Sequence, residues 1–221
     1  MIAPRPSRDG DEPALRSLWK TVFGDTDAFL DVFFREVYTP GMASLIETDG
    51  TIAAAAYAVP FGDAPYIYAV ATLPAYRRRG YGKAVTLSAA AGRPAYLCPA
   101  GPELDRWYRE EMGAVPADRR GRLEDPGDRR PISPEEYALR REDLLRDTPH
   151  AVYTPGILAL YALGGGFYAF DARRGEPGGI CAVDRDGTVR ERLPAPPAPA
   201  SGVYLLGLNG APPLYWGLTL E

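Results

Sequence analysis

The stretch Val70–Lys83, VATLPAYRRRGYGK, is where residue types and spacing point most directly to chemistry. Arg77, Arg78 and Arg79 precede Gly80-Tyr81-Gly82 and Lys83. An apolar strand pattern leads in, and a helical pattern leads out. A helix start presents unpaired N–H groups and the positive end of the helix dipole. Glycines without a Cβ let an anion approach that backbone. No Asp or Glu occurs between Ala64 and Pro102, so no local carboxylate competes. The pattern reads as a phosphate or pyrophosphate site; its alternative is a solvated basic turn before a surface helix. A P-loop needs G-x-x-x-x-G-K-[ST], but here the glycines are two apart and Ala84 follows Lys83. The dinucleotide pattern G-x-G-x-x-G needs a small third residue, and Val85 stands there.

The elements that must position this loop are legible from pattern and punctuation. Residues 9–20 place acids ahead of Leu15, Leu18 and Trp19 at helical spacing, with Asp9 or Asp11 as N-cap. A second helix is expected at about 26–37, stopped by Pro40 and Gly41. Two apolar runs joined by Asp49-Gly50 read as a hairpin. A third strand, 66–73, runs into the loop, and the helix after it is expected to close at Gly92. A short strand through Cys98 and a helix through Trp107-Tyr108, closed by Gly113, complete this half. Residues 114–133, rich in charge, Pro and Gly, read as a linker or long surface loop. Ser133 and Glu136 form a capping-box pattern that opens a helix. Arg140, Arg141 and Arg146, mixed with acids, read as a salt-bridged outer face. A short helix, strands with an Asp186-Gly187 hairpin, a Pro-Ala linker at 194–202 and two closing strands, GVYLLGL and PLYWGLTLE, follow. The expected division is 1–125, a linker at 126–133, and a smaller α/β lobe at 134–221.

Composition removes several classes. A formal charge of −4 argues against a general nucleic-acid binder. One His excludes multi-His metal sites, and the two cysteines, Cys98 and Cys181, stand in no CxxC pair. No metal site is expected. No apolar run reaches membrane-span length, and the N-terminus lacks a signal-peptide core, so a cytoplasmic location is expected.

Arg77-Arg78-Arg79-Gly80-Tyr81-Gly82, with the lead-in Thr72-Leu73-Pro74-Ala75-Tyr76, resembles the Q/R-x-x-G-x-G/A signature of the GNAT N-acetyltransferase superfamily. The order of elements over about residues 1–115 resembles it too. The resemblance implies an α/β fold of the GNAT acyl-CoA N-acyltransferase type, a mixed, mostly antiparallel sheet with flanking helices. It implies that acetyl-CoA donates an acetyl group to a primary amine, of a small molecule or a peptide. It implies that the backbones of Val70, Ala71 and Thr72 pair with the pantetheine arm. Arg77, Arg78, Arg79, Gly80, Tyr81, Gly82 and Lys83 would then surround the pyrophosphate. It also implies that the loop strand and the next strand splay into a V. Trp107-Tyr108 ahead of Met112-Gly113 resembles the family's aromatic pair, and makes Tyr108 the candidate general acid for the leaving thiolate. The general base stays open among waters held by Tyr66 and Tyr68, the carboxylates of Glu36 and Glu47, and Glu221. The second half resembles a degenerate half-GNAT lobe. A different class, a non-catalytic acyl-CoA-binding or regulatory module, would use the same loop.

Overall fold

Turn chemistry and alternation build the first sheet. The computed structural model describes residues 2–119, 123–173, 175, 177–194 and 204–219. Strands β2 (Ala43–Thr48) and β3 (Thr51–Phe61) meet through Asp49-Gly50, with φ of 53° and 71°. Two successive positive φ values match the strand twist, as the dipeptide predicts. β4 (Ala64–Thr72) returns antiparallel to β3, and β1 (Arg5–Pro6) borders β2. The period of two sends Ala55, Tyr57 and Val59 of β3 to one core and Ala54 and Ala56 to the other. The first core receives Leu15, Leu18 and Trp19 of α1 (Glu12–Phe23). It also receives Leu30 of α2 (Asp27–Val32) and the π-helical turn Phe33–Val37. The second receives Val85, Ala89 and Ala90 of α3 (Tyr81–Ala90). Asp11 occupies the N-cap position of α1 but gives no side-chain cap; its carboxylate is taken by Arg5 at 2.7 Å. Gly24, at φ 76°, ends α1, and Ala91 and Gly92, at φ 51° and 70°, are both left-handed after α3.

The sheet continues through β5 (Ala95–Leu97), reached by a parallel crossover over α3, then α4 (Pro102–Met112) and β6 (Val115–Arg119). A second, four-stranded antiparallel sheet holds β7 (Arg129–Ile132), β8 (Gly165–Phe170), β9 (Gly179–Asp184) and β10 (Val189–Leu193). Helices α5 (Pro134–Leu144) and α6 (Pro155–Gly164) connect β7 to β8. Ser133 caps α5 as expected, accepting from the Glu136 N–H at 3.1 Å. The last strand, β11 (Tyr204–Leu208), crosses back into the first sheet, whose order is β1-β2-β3-β4-β5-β11-β6. Within this sheet, among the described residues, all strand pairings are antiparallel except β4–β5.

Several expectations are corrected here. The stretch 114–133 is not a plain linker. It holds β6, which pairs with β11, and β7, which pairs with β8; the expected linker at 126–133 therefore contains a strand. Both are short and polar, and backbone pairing rather than an apolar stripe defines them. GVYLLGL was expected to close the second lobe, yet its strand lies between β5 and β6. The described part of PLYWGLTLE, residues 213–219, forms no strand. It makes one bridge, His150 with Tyr215, and Gly217 at φ 76° bends it, while Trp216 and Leu218 are buried. Residues 195–202 of the Pro-Ala linker and Glu221 lie outside the described residues.

Arg141 is not on an outer face. It is 0% exposed, and its Nε donates to Glu191 Oε1 at 3.0 Å. Its other nitrogens donate to the carbonyls of Ala151 and Trp216, and its guanidinium lies 3.9 Å from the Tyr153 ring centre. Burial works against the charge, and the Glu191 carboxylate offsets this, so the Arg141 pKa is raised. Tyr137 donates its hydroxyl to the same carboxylate. This buried cluster joins α5, β10 and the segment around Trp216.

Candidate active site

β4 and β5 pair at one register position, Tyr66 with Tyr96, and separate beyond it. Opposite Ala56, β4 carries one residue too many, and the register shifts between Tyr57↔Tyr68 and Ala55↔Ala71. Ala69, at φ 47°, sits in this bulge with Val70. A bulge re-aims backbone groups that a regular ladder would consume. The separation opens a cleft of about 890 Å³. One side is β4 from Tyr66 to Val70; the other is Cys98, Ala100 and, from α4, Leu104 and Tyr108.

Sequence-derived residues fall into three groups. Val70 lines the cleft. Ala71 is 2% exposed and pairs with Ala55, and Thr72 pairs with Ala54. The basic loop lies beyond the end of β4. Gly80 is the N-cap of α3 at φ 79°, ψ 4°, with no side-chain cap on the first-turn N–H groups. Arg78 is also left-handed, at φ 61°. Arg77 Nε donates to the Thr72 carbonyl at 3.2 Å, which ties the loop to the strand. Arg79 donates to the Ala75 carbonyl at 3.3 Å and lies over the Tyr76 ring, while Lys83 pairs with Glu111 at 3.1 Å. Arg77, Arg78 and Arg79 are exposed, and Tyr81 is buried in the second core.

The third group connects loop and cleft. A Cβ on Gly82 would stand 3.6 Å from both Thr72 Oγ1 and the Trp107 ring. Trp107 and Tyr108 are in edge contact at 4.9 Å. Tyr108 is 5% exposed yet lines the cleft. Burial pushes its phenol well above the ordinary value, so it keeps its proton. Of the base candidates, Tyr66 and Tyr68 line the cleft, with rings stacked at 6.0 Å. Glu36 and Glu47 do not line it; they pair with Arg35 and Arg5. Cys98, at the end of the short strand, is half-buried on the cleft wall.

Sequence reasoning missed a large part of the wall. Trp19, Asp25 and Phe29 come from the end of α1 and the start of α2. Tyr161 and Leu163 of α6, Asp184, Arg185 and Arg190 of the β9–β10 hairpin, and Thr219 come from the second half. Their only local signals are a helix end at Gly24 and a hairpin at Asp186-Gly187; tertiary packing assigns them to the cleft. Among the described residues no group of His, Cys, Asp and Glu is placed to hold a metal ion, and no helix is long and apolar enough to cross a membrane.

Residues 12–91 match the family model described as the acetyltransferase (GNAT) family. No curated protein matches the sequence. Solved structures share the fold at low identity. A GCN5-related N-acetyltransferase from Anabaena variabilis is 16% identical with a TM-score of 0.58, over 87% of this chain and 58% of that one. A probable N-acyltransferase from Enterococcus faecalis is 14% identical with a TM-score of 0.53, over 87% of this chain and 54% of that one. A putative acetyltransferase from Pyrococcus horikoshii is 14% identical with a TM-score of 0.53, over 86% of this chain and 69% of that one. The chain thus spans little more than half the length of the first two, and the shared fold extends well beyond residues 12–91.

Proposed function

We propose that this chain, whose residues 12–91 match the acetyltransferase (GNAT) family model, moves an acetyl group from acetyl-CoA to a primary amine. One observation carries the reading: a strand-split cleft, an uncapped helix start inside a basic loop, and a proton-holding phenol meet around Gly82, Trp107 and Tyr108.

The residues present suit the donor. Arg77, Arg78, Arg79 and Lys83 supply charge for the pyrophosphate, and the first-turn N–H groups of α3 supply donors. The bulge at Ala69–Val70 supplies backbone groups for the amide-rich arm and the thioester carbonyl, in a site whose donors are set in advance. The amine nitrogen attacks the thioester carbon, the carbon–sulfur bond breaks, and the sulfur takes the Tyr108 proton. The proton lost by the amine restores the phenol, through water held at Tyr66 and Tyr68. Much of the acceleration comes from holding the two reactants together in one cleft. We read the part of the chain after residue 134 as a lobe that binds no donor of its own; α6 and the β9–β10 hairpin supply the wall facing β4.

Gly82 provides the test. Its φ is not left-handed, and an added Cβ meets its neighbours at ordinary contact, so Gly82→Ala should fold, and circular dichroism checks the fold of Gly82→Asp. Gly82→Asp places a carboxylate where the pyrophosphate belongs. Calorimetry with CoA should show affinity lost in Gly82→Asp and largely kept in Gly82→Ala. Equal affinity in both variants and the parent removes the donor assignment. Tight CoA binding with no free thiol released from acetyl-CoA by any amine would instead favour a non-catalytic acyl-CoA-binding module.

A further inference from the structure

We propose that Gly156 sets the width of the cleft on the side facing β4, and thereby how broad an amine the cleft admits. The consequence for amines rests on the transferase reading; the width itself does not. Two helices line that side. Thr26, Ala28 and Phe29 reach the cleft from α2 and its cap, and Leu160, Tyr161 and Leu163 reach it from α6. α6 packs on α2 and on the π-helical turn Phe33–Val37 that continues it. The separation of α2 and α6 is therefore one dimension of the cleft.

Gly156 lies buried in the first turn of α6, against the end of the π-helical turn. A Cβ there would stand 2.2 Å from the Glu36 carbonyl oxygen, 2.8 Å from its carbon and 3.1 Å from Val37 Cγ2. Atoms in contact rest about 3.5 Å apart, so a methyl group would need α6 and the turn to part by roughly 1 Å. The obstacle is backbone, which cannot rotate aside as the end of a long side chain can. Local rules do not ask for glycine here. Its φ is not left-handed, and glycine weakens a helix relative to alanine. Thr154 already starts α6 by accepting from the Ile157 N–H at 3.3 Å. The close approach explains the residue. Glu36, a candidate base by residue type, takes part through its main-chain carbonyl instead. The turn is firmly backed: Phe33 and Phe34 meet the ring of Trp19 at 4.7 Å and 6.2 Å, and Trp19 lines the cleft. At the other end of α6 the Tyr161 hydroxyl donates to the Thr219 carbonyl. A side chain at 156 therefore levers the start of α6 off the turn and opens the gap between α2 and Leu160. The basic loop opens α3 and Tyr108 stands on α4, so the donor side keeps its place.

The test compares Gly156→Ala with the parent by crystallography, by calorimetry with CoA, and by thiol release from acetyl-CoA. The probe amines are benzylamine and 1-naphthylmethylamine, which share the aminomethyl group and differ in the breadth of the ring. α2 and α6 should part by about 1 Å in the variant. CoA affinity should stay within about two-fold, because the two sites are separate. The ratio of kcat/KM for 1-naphthylmethylamine to that for benzylamine should rise about ten-fold, through a lower KM for the broader amine. A merely structural role lowers both rates together and leaves the ratio where it was. Should Gly156→Ala fail to fold, Leu163→Ala trims the same wall without the clash and should raise the same ratio. An unchanged α2–α6 separation overturns the inference, as does an unchanged ratio in the variant that folds. Loss of CoA affinity in Gly156→Ala also overturns it, since the disturbance would then not be confined to this side. Parted helices with no thiol release from either amine support the width assignment and tell against the transferase reading alone.

Discussion

Replacing Arg141 with Met should destabilise the protein by about 4 kcal/mol. Met fills the volume of the arginine stem, so the cavity contribution is small and the cost is polar. The substitution leaves Glu191, 0% exposed, with Tyr137 as its remaining named partner, and it takes the arginine donor from the carbonyls of Ala151 and Trp216, the second of which keeps the Tyr153 hydroxyl. Breaking a buried ion pair from one side costs about 3–5 kcal/mol. Each unsatisfied buried carbonyl costs about 1–3 kcal/mol, partly recovered as the chain relaxes. These terms overlap, which places the total near the middle of the first range. That is a large share of the ~5–15 kcal/mol that holds a typical domain. Urea unfolding at neutral pH, monitored by tryptophan fluorescence, measures it, because Trp216 packs beside the cluster. Adding Glu191→Leu to Arg141→Met should recover most of the loss, since it removes the stranded charge. A loss below about 1 kcal/mol for Arg141→Met alone would refute the reasoning and return Arg141 to the solvated face that its charged neighbours suggest.

Two further outcomes follow from the same geometry. Tyr108→Phe should cut turnover roughly ten- to a thousand-fold with CoA affinity unchanged. Because burial raises the Tyr108 pKa, its proton-bearing form persists above the usual phenol range near ~10. The parent kcat should therefore show no falling limb from this group up to about pH 10; unchanged turnover in Tyr108→Phe, or a Tyr108-dependent fall below that pH, would make it a packing residue. A chain ending after residue 130 lacks β11 and the second wall of the cleft, so β5 and β6 each lose an antiparallel partner. It should aggregate during expression, as unpaired sheet edges do; a soluble, fully active truncated chain would refute the shared-sheet account.

The residues that announced themselves were those governed by local rules. Asp49-Gly50 fixes its own turn, Ser133 caps its own helix, and the glycines around Tyr81 open α3 whatever surrounds them. The basic loop was legible because backbone sterics and helix electrostatics act within a few residues. The same locality explains the failures. β6 and β7 exist because other strands lie beside them, and neither carries a stripe that would say so. Arg141 has the neighbours of a surface arginine, and its burial follows from Glu191 and Trp216, which no short window contains. The cleft was half legible for this reason. Tyr108 and β4 belong to one contiguous pattern, but Asp25, Tyr161 and Arg185 become cleft residues through packing alone.

The placement of β11 sets an order on how the molecule comes into being. Leu97 waits for Leu206, and the two halves of the first sheet flank a gap until that strand arrives. A ribosome adding about 5–20 residues per second delivers Leu206 roughly 5–20 s after Leu97. During that interval the nascent chain carries the basic loop and much of the first core with one strand position vacant. Leu206 and Leu208 join the same core as Tyr108 and Val85, so the surroundings of the proposed acid are incomplete until residue 208 has been added. Long-range pairing of this kind slows folding and leaves apolar edges open meanwhile. A message cut short before codon 204 therefore yields a chain with a basic loop and no finished cleft.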